Sequence, residues 1–295
     1  MMRSPGKAGG SMSPPNRPSD GVPKPSRTVT NTVWSDGASG VAGARAIAEE
    51  LPVAFTYNGS SYAVMMATPC NLDDFAVGFS LTEGIVSEPG EIASLEILEE
   101  AIGIEVRMML TNPRASVLAE RRRAHAGPVG CGLCGIESLA EAIRPLPQVT
   151  GDVAIWPSAV FAALEETTKA QAINRETHAT HAASLWTPAS GLLCLREDVG
   201  RHNALDKLAG ALARNGIKPT DGLVVFTSRL SVELVQKAAM IGAPILVAVS
   251  APTALALKTA EDAGITVIAI ARSDGFEVFT HPERIRPEAQ RHVAS

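Results

Sequence analysis

Two cysteines with reactive chemistry, Cys131 and Cys134, lie two positions apart in the sequence Gly-Cys-Gly-Leu-Cys-Gly. The glycines allow positive φ angles and remove side-chain bulk from around both sulfurs. Residues 136–143 follow with apolar side chains at helical spacing. The pattern predicts a flexible loop before a helix N-terminus, where the helix dipole and free N–H groups favour a thiolate. The pair therefore predicts a nucleophilic sulfur on a mobile arm.

Zinc binding, dithiol redox chemistry and sulfur transfer all use closely spaced cysteines. Structural zinc needs four ligands, and the other cysteines, Cys70 and Cys194, stand far apart in apolar segments. A dithiol redox site also uses Cys-x-x-Cys before a helix, but the thioredoxin type directly follows a strand. Here Pro128 and the arginines at 121–123 precede the pair. A redox couple and a persulfide carrier both remain open from these residues alone.

A second set of polar residues follows three apolar segments in the second half of the chain. Residues 223–227, 245–249 and 266–270 read as buried strands, and the helices predicted between them, 231–241 and 253–263, indicate βαβ units with parallel strands. Ligands bind beyond the carboxyl ends of such strands. Ser228, Arg229, Ser250 and Arg272 fall there. One hydroxyl alone would be a helix cap, but hydroxyls and two arginines at neighbouring strand ends are typical of phosphate binding.

The seven residues 197–203, Glu-Asp-Val-Gly-Arg-His-Asn, place two carboxylates, a guanidinium and an imidazole before a helix predicted from His202. A capping turn needs only one such side chain, so the segment is either a binding stretch, with Arg201 and His202 as ligands, or a set of mutual ion pairs. His181 opens an apolar strand predicted over 181–186, where a lone histidine is more often structural than catalytic.

The elements that carry these residues form two predicted domains after a tail. Residues 1–29, rich in Pro, Ser, Gly and basic residues, predict a disordered tail. Residues 30–145 predict a smaller α+β domain that ends in the cysteine loop, and 146–295 an α/β domain with a partly parallel sheet. The first domain's predicted elements are strands 53–57 and 62–67 joined at Asn58-Gly59, a helix capped by Asn71 and ended by Gly84, strands 95–98 and 104–110, and a helix 115–123.

Composition limits the classes of function. The 295 residues are 45 % apolar, which is enough for real cores, and the net charge of −5 argues against nucleic-acid binding. The longest apolar stretch, 242–257, contains Ser250 and Pro252 and is too short to span a membrane. With no cysteine framework and no apolar signal core near Met1, the sequence predicts a cytoplasmic protein.

Several longer motifs resemble one known family. They are Tyr57-Asn58-Gly59, Met66-Ala67-Thr68-Pro69, the Gly-Phe-Ser-Leu-Thr-Glu-Gly-Ile run at 78–85, the Cys131–Cys134 loop, the stretch from Glu197 to Lys207, Ser228-Arg229-Leu230-Ser231, Ser250-Ala251-Pro252-Thr253 and Val278-Phe279-Thr280-His281-Pro282. Together they are similar to the formate dehydrogenase accessory sulfurtransferase family from about Val53 to Arg286. The Glu-Asp-Val-Gly-Arg-His-Asn stretch is very specific, whereas the cysteine pair alone is not.

The resemblance implies a function and a set of site residues. A member takes sulfur as a persulfide from a cysteine desulfurase and passes it to the molybdenum cofactor, bis(molybdopterin guanine dinucleotide), for the formate dehydrogenase catalytic subunit. Cys131 matches the persulfide-bearing cysteine, and Cys134 the second. The cofactor-binding segment falls on Ile270, Ala271, Arg272, Ser273, Asp274 and Gly275, beside Ser228, Arg229, Ser250, His181, Arg201 and His202.

The resemblance also implies a fold and an assembly. The second domain would be cytidine deaminase-like, without the zinc pattern of the deaminases and without a metal of its own, and the protein a homodimer. The alternatives to sulfur transfer are a dithiol redox protein and a non-catalytic molybdenum cofactor chaperone.

Overall fold

The computed structural model describes residues 22–37, 39–116 and 145–287. The cysteine loop, most of the predicted helix 115–123 and most of the predicted tail lie outside these residues; residues 112–116, at the start of that helix, are helical. We call residues 22–116 the first half and residues 145–287 the second half. No helix among the described residues is long and apolar enough to cross a membrane.

The described residues of the first half contain six strands and an 11-residue α-helix, besides the helical residues 112–116. In chain order they are β1 (Ser26–Val33), β2 (Val41–Ala48), β3 (Leu51–Tyr57), β4 (Ser60–Ala67), α1 (Leu72–Thr82), β5 (Ile92–Glu100) and β6 (Gly103–Leu110), with a short 3-10 helix at Pro89–Glu91. β1 and β2 form a two-stranded sheet, and the other strands form a sheet of order β4-β3-β6-β5. Helix α1 packs on the four-stranded sheet through Phe75 and Phe79, which contact Phe55 at ring-centroid distances of 4.9 and 4.5 Å.

The predicted hairpin is confirmed, and two local predictions need correction. Asn58 and Gly59 turn the chain with φ angles of 50° and 77°. Asn71 does precede α1, but it adopts a left-handed conformation and its side chain makes no capping hydrogen bond, so the predicted cap is wrong. Strand β1 begins at Ser26, before the domain boundary predicted at Thr30. Neither β1 nor β2 shows a clear apolar period, so the sequence does not mark this start, and β1 forms by pairing with β2 over its whole length.

The second half is built on one six-stranded sheet with helices on both faces. Its elements are α2 (Pro157–Ala170), α3 (Ala172–Thr177), β7 (His181–Thr187), β8 (Gly191–Asp198), α4 (Arg201–Arg214), β9 (Leu223–Phe226), α5 (Val232–Met240), β10 (Ile245–Ala248), α6 (Ala254–Ala263), β11 (Thr266–Arg272) and β12 (Gly275–Thr280), with short 3-10 helices at Pro219–Asp221 and Pro282–Arg284.

The strand order is β12-β11-β10-β9-β7-β8. β9, β10 and β11 are parallel to one another, whereas β12, β7 and β8 each pair antiparallel with a neighbour. One apolar core lies between the sheet and α4, α5 and α6, and a smaller one under α2. The predicted mixed α/β fold with a partly parallel sheet is confirmed.

The two halves meet where α1 crosses α4, and two glycines make that contact possible. A Cβ atom at Gly78 would lie 1.6 Å from the Asp206 carbonyl oxygen, and one at Gly210 would lie 1.8 Å from that of Asp74. Any side chain at either position would force the helices apart. The glycines therefore bring the charged residues of α1 and α4 into direct contact.

Candidate functional site

Backbone hydrogen bonds hold the segments after the three parallel strands together. The Leu230 N–H donates to the Ala251 carbonyl at 3.4 Å, and the Thr253 N–H donates to the Leu230 carbonyl at 3.0 Å. The Ile270 N–H donates to the Ser250 carbonyl at 3.4 Å. Residues 227–231, 250–253 and 270–275 thus form one continuous surface, which we call the carboxyl edge. The structure therefore brings together Ser228, Arg229, Ser250 and Arg272, as the strand pattern predicts.

The four predicted contact residues of the carboxyl edge differ in exposure. Arg229, Ser250 and Arg272 are exposed, so their polar atoms are accessible to a ligand. Ser228 is buried, and its hydroxyl donates to the Arg229 carbonyl at 3.0 Å. Ser228 therefore shapes the loop that presents Arg229, and in this conformation its hydroxyl is not offered to a ligand.

A shallow, open cavity of about 400 Å³ lies at the end of β11. Its lining residues are Ile270, Arg272, Asp274, Gly275, Phe276 and Glu277. Of the remaining predicted residues in this segment, Ala271 is buried and Ser273 is exposed. The lining combines one guanidinium, two carboxylates and an aromatic ring. A guanidinium can bind a phosphate, and carboxylates can accept hydrogen bonds from the N–H groups of a nucleobase.

Ile270 holds an unusual backbone conformation at this cavity. Its φ angle is 52°, in the left-handed region that β-branched residues rarely adopt. The register between β11 and β12 shifts between Ala269 and Arg272. Such strain costs on the order of 1–3 kcal/mol and persists where the surroundings impose it. The sequence gives no sign of this bend, because isoleucine is a typical residue of straight strands.

His181, Arg201 and His202 form a second cluster at the other end of the carboxyl edge. His181 opens β7, and the Ala182 N–H donates to Thr227 Oγ1 at 2.8 Å, which ties β7 to the end of β9. Burial lowers the pKa of His181, and the charge of Arg201 lowers it further. The Arg201 Nε atom is buried without a hydrogen-bond partner in the structure. Arg201 thus retains an unused donor at this end of the edge.

His202 is neutral at physiological pH. Burial lowers its pKa to about 4, and the neighbouring Arg201 adds to that shift. Its Nε2 atom lies 3.2 Å from the Ser231 hydroxyl at the start of α5 and 3.8 Å from a Glu233 carboxylate oxygen. Because Ser231 and Glu233 both face the same ring nitrogen, the three residues do not have the geometry of a hydrolytic triad.

The two carboxylates of the 197–203 segment are structural. Glu197 accepts hydrogen bonds from the Ile173 and Asn174 N–H groups and so holds the start of α3. Asp198 forms an ion pair with Lys207 at 2.6 Å, with both side chains fully buried. Structural contacts therefore account for both acidic residues, an ion pair for Asp198 and backbone hydrogen bonds for Glu197, while Arg201 and His202 remain at the carboxyl edge.

Sequence reasoning missed several buried polar contacts between the halves, which involve charged side chains. Lys207 donates to the Thr68 carbonyl at 2.8 Å, and the Thr68 N–H donates to Asp198 at 3.0 Å. Arg196 pairs with Asp74 at 2.8 Å, with both side chains almost completely buried. The sequence feature that could have indicated these contacts is the presence of Asp206 and Lys207 in a helix whose other central residues are largely apolar.

The two described cysteines are poor nucleophiles. Cys70 is fully buried and Cys194 almost fully buried. Burial raises the pKa of both thiols, that of Cys194 to about 11, so each stays protonated at neutral pH. Cys131 and Cys134, the predicted reactive pair, lie outside the described residues.

Residues 117–144, which include Cys131 and Cys134, are the cysteine-bearing segment, and the described residues on either side of it lie away from the carboxyl edge. On one side the Arg114 guanidinium donates to the Ile85 and Gly84 carbonyls, just after α1. On the other side Gln148 Nε2 donates to the Asp262 carbonyl at 2.7 Å, near the end of α6. Because α6 leads into β11, this second attachment is at the amino end of the parallel strands.

Comparison with known proteins identifies relatives over most of the chain. The model of the FdhD/NarQ family matches residues 48–286. A protein of Agrobacterium fabrum named sulfur carrier protein FdhD is 52 % identical over 260 residues, covering 88 % of this chain and 96 % of its own. A Bordetella petrii protein of the same name is 46 % identical over 270 residues, covering 90 % of this chain and 97 % of its own.

A solved structure shares the fold. It is described as a putative formate dehydrogenase accessory protein from Desulfotalea psychrophila. It superposes with a TM-score of 0.68 at 26 % identity and covers 88 % of this chain and 99 % of its own.

Proposed function

Because the chain belongs to the FdhD/NarQ family, we propose that it is a sulfurtransferase that carries sulfur as a persulfide on Cys131. The donor is a cysteine desulfurase, and the acceptor is the molybdenum cofactor destined for the formate dehydrogenase catalytic subunit. The names of the relatives support a sulfur-carrying role, and the description of the solved structure supports a role for formate dehydrogenase.

The observation that carries this proposal is the burial of the other two thiols. The chain has four cysteines, and Cys70 and Cys194 are buried with raised pKa values. A persulfide carrier needs an accessible sulfur with thiolate character, since the thiolate is the attacking species. Cys131 and Cys134 are then the cysteines that the chain offers for this chemistry, in the glycine-rich context that favours reach.

The loading step conserves electrons without an external oxidant. The Cys131 thiolate attacks the outer sulfur of the desulfurase persulfide, forming a new S–S bond. The old S–S bond breaks, and its electron pair leaves with the desulfurase thiolate. The transferred sulfur keeps its oxidation state and its proton, so Cys131 becomes Cys–S–SH.

Delivery to the metal requires reduction of that sulfur to hydrosulfide. We assign the two electrons to the cysteine pair: the Cys134 thiolate attacks the Cys131 sulfur, a disulfide forms, and HS⁻ leaves toward the cofactor. A cellular dithiol then reduces the disulfide for the next cycle. This step uses the two-residue spacing, which is the spacing of dithiols that form disulfides readily.

The carboxyl edge is the proposed binding surface for the cofactor, which is the substrate. Arg229 and Arg272 offer exposed guanidiniums to the diphosphates. Asp274 and Glu277 line the cavity at β11 and offer acceptors to guanine N–H groups. His181, which opens β7, lies three strand spacings, roughly 14 Å, from β11, and Arg201 and His202 lie at the same end of the carboxyl edge. An extended guanine nucleotide fits a surface of this length.

The proposal includes a cytidine deaminase-like architecture for the second half, a homodimer and a cytoplasmic location. The architecture and the homodimer follow from the family resemblance of the sequence motifs, and the location follows from the composition. The mixed sheet of the second half is compatible with the proposed architecture. Size-exclusion chromatography with light scattering measures the assembly directly: a mass near 62 kDa, twice the 30.8 kDa of the chain, is expected.

The decisive experiment combines mass spectrometry with complementation. The Cys134→Ser variant is used, because it cannot release the sulfur by forming the internal disulfide. After incubation with desulfurase and cysteine, its Cys131 gains the mass of one sulfur atom, whereas a dithiol redox protein gains none. Cys131→Ala fails to restore formate dehydrogenase activity in a strain that lacks the native protein. Full rescue by the Cys131→Ser, Cys134→Ser double variant would show a cofactor chaperone and refute sulfur transfer.

A further inference from the structure

Exposed apolar side chains are concentrated on two surfaces of the first half. Twelve large apolar residues are exposed in the part of the chain that the structure describes. Four of them lie on the ribbon formed by β1 and β2, and four lie on the four-stranded sheet with its β5–β6 turn. Single exposed apolar residues are normal on a protein surface, whereas a concentration of them marks an interaction surface.

One face of the ribbon is apolar with a single unpaired positive charge. Directly opposite residues of an antiparallel pair lie on the same face. β1 and β2 therefore share one set of side chains, which we call the ribbon face: Val29, Val33, Val41, Arg45 and Ile47. Arg45 forms no ion pair among the described residues, whereas Arg27, on the same side of the ribbon, has Glu49 as its partner at 3.3 Å. A surface that complements the ribbon face is apolar and acidic.

The ring of Trp34 lies on the other face of the ribbon. A Cβ atom at Gly40 would lie 2.7 Å from Thr32 Cγ2 and also 2.7 Å from Trp34 Cε2, so these two side chains meet over residue 40. Thr32 alternates with Val33 along β1 and therefore points away from the ribbon face. Trp34 thus packs on the end of the ribbon and leaves the ribbon face to Val33 and Val41.

The four-stranded sheet exposes a matching surface on the side away from α1. Val53 and Phe55 of β3 pack in the core with α1, so the residue between them, Ala54, faces the other way. Val64 lies beside Ala54 in the strand register, Met66 follows two positions later, and each is 50 % exposed. On the far side of β3 the same face continues into β6 and β5. We call its residues the sheet face: Ala54, Val64, Met66, Leu98, Glu100 and Glu105.

The two faces are complementary in charge. Glu105 pairs with Arg107, but Glu100 forms no ion pair among the residues that the structure describes. Arg45 on the ribbon face and Glu100 on the sheet face are thus opposite charges that both lack a described partner. Contact between two ribbon faces would bring two such arginines together, which charge disfavours. Contact between a ribbon face and a sheet face covers apolar surface on both and brings opposite charges together.

A single chain does not make this contact, because both faces are exposed in the same molecule. At its base the ribbon meets α3 instead, where the Ser26 hydroxyl donates to a Glu176 carboxylate oxygen at 3.4 Å. We propose that the ribbon face of one copy binds the sheet face of a second copy, and that the reverse contact forms around the same two-fold axis. The inference rests on the proposed homodimer and names the surfaces that form it.

The size of the faces fits a stable dimer. The reciprocal contact uses four faces, so a standard interface of about 1,600 Å² requires about 400 Å² from each. Each strand of the ribbon has 8 residues, and a strand of that length extends about 26 Å. A ribbon of this length and two strands wide presents a face of that order. Because each copy uses both of its faces, the assembly closes at two copies.

Two variants test the two faces separately. Val41→Glu places a negative charge on the ribbon face, and Met66→Lys places a positive charge on the sheet face. Both side chains are exposed, so neither substitution disturbs a core. Trp34→Ser, on the other face of the ribbon, is the matched control. Analytical ultracentrifugation measures the mass and the dissociation constant of the dimer, and thermal melts show that each variant is folded.

We expect Val41→Glu and Met66→Lys each to raise the dissociation constant of the dimer at least about a hundredfold, because each dimer then buries the unpaired charge twice. Trp34→Ser is expected to leave the constant within about threefold of wild type. An equimolar mixture of the two face variants is expected to regain dimers. Each mixed dimer keeps one unaltered contact, and its other contact brings the two introduced charges of opposite sign together.

Dimers of either face variant with wild-type affinity would overturn the inference, and so would a mixture no more dimeric than its components. Hydrogen exchange of the wild-type protein tests the contact without a substitution: β2 and β4 are expected to lose protection together when the dimer is diluted below its dissociation constant. Unchanged exchange in either strand would also overturn the inference. A monomeric wild-type protein would instead refute the homodimer of the proposed function.

Discussion

Removal of the Lys207 ammonium tests how much one buried ion pair of the second half, hydrogen-bonded to Thr68 of the first half, contributes to stability. Lys207 and Asp198 are fully buried with 2.6 Å between Nζ and Oδ2. In Lys207→Met, Asp198 keeps the Thr68 and Gly200 N–H groups and the Asn203 amide as donors but loses its counterion. Breaking one side of a buried pair costs about 3–5 kcal/mol, and the three remaining donors place this case near 3 kcal/mol.

Urea denaturation measures the loss as a lower midpoint with an unchanged slope. Lys258→Met is the matched control, because Lys258 forms an exposed pair with Asp262 at 3.1 Å; its cost is below about 0.5 kcal/mol. The double variant Asp198→Asn, Lys207→Met, which removes both charges of the pair, recovers most of the loss. A deficit below about 1 kcal/mol in Lys207→Met, or no recovery in the double variant, would refute this account.

Two further predictions concern the carboxyl edge. Arg229→Ala weakens GDP binding about tenfold at low salt, because a charge-assisted contact contributes roughly 1.5–3 kcal/mol and the exposure of Arg229 favours the lower value. Calorimetric titration measures the affinity, with Arg27→Ala, an exposed arginine paired with Glu49, as the control. Equal GDP affinity of Arg229→Ala and the wild type would place the phosphates elsewhere. In the unfolded state the His202 imidazole binds a proton below about pH 6.5, whereas in the folded state it stays neutral down to about pH 4. The unfolded state therefore binds more protons between these two pH values, and His202 makes the free energy of unfolding fall as the pH drops from about 6.5 to about 4. Denaturation of His202→Gln across pH 7 to 4.5 is expected to show a flatter decline, by on the order of 1–3 kcal/mol, and a parallel decline would contradict the depressed pKa.

The parallel strands were predictable because their burial is complete. Strands β9 and β10 are buried at every residue, and each reads in the sequence as a continuous apolar run between helices. The same logic located the carboxyl edge, since parallel strands end at one edge of the sheet whatever their order. Ser228, Arg229, Ser250 and Arg272 therefore could be placed together without the structure.

Elements whose formation depends on distant contacts could not be predicted. β1 and β2 are mostly exposed on both faces, so neither shows the alternation that marks a half-buried strand. Helix α3 has six residues, and its start is held by Glu197, 24 positions after Ile173. β12 follows the irregular backbone around Ile270, where local preference gives no reason for a bend.

The pairing of buried charged residues in the helices was the feature least predictable from the sequence. Asp74, Asp206, Lys207 and Lys237 are all buried, although their types are typical of surfaces. The sequence shows that such residues exist but not which of them meet, because pairing depends on the crossing of α1 and α4 through Gly78 and Gly210. Ion pairs between elements more than a hundred residues apart can only be assigned once the packing is known.

The 197–203 segment shows why a binding stretch and a structural stretch are hard to separate. Asp198 holds the first half through Thr68, whereas Arg201 and His202, three and four residues later, lie at the carboxyl edge. Both groups belong to the single turn that leads from β8 into α4. A shift of the first half therefore acts on the same turn that presents Arg201 and His202. One turn thus carries both a contact between the halves and part of the carboxyl edge, which is why the residue types alone do not separate the two roles.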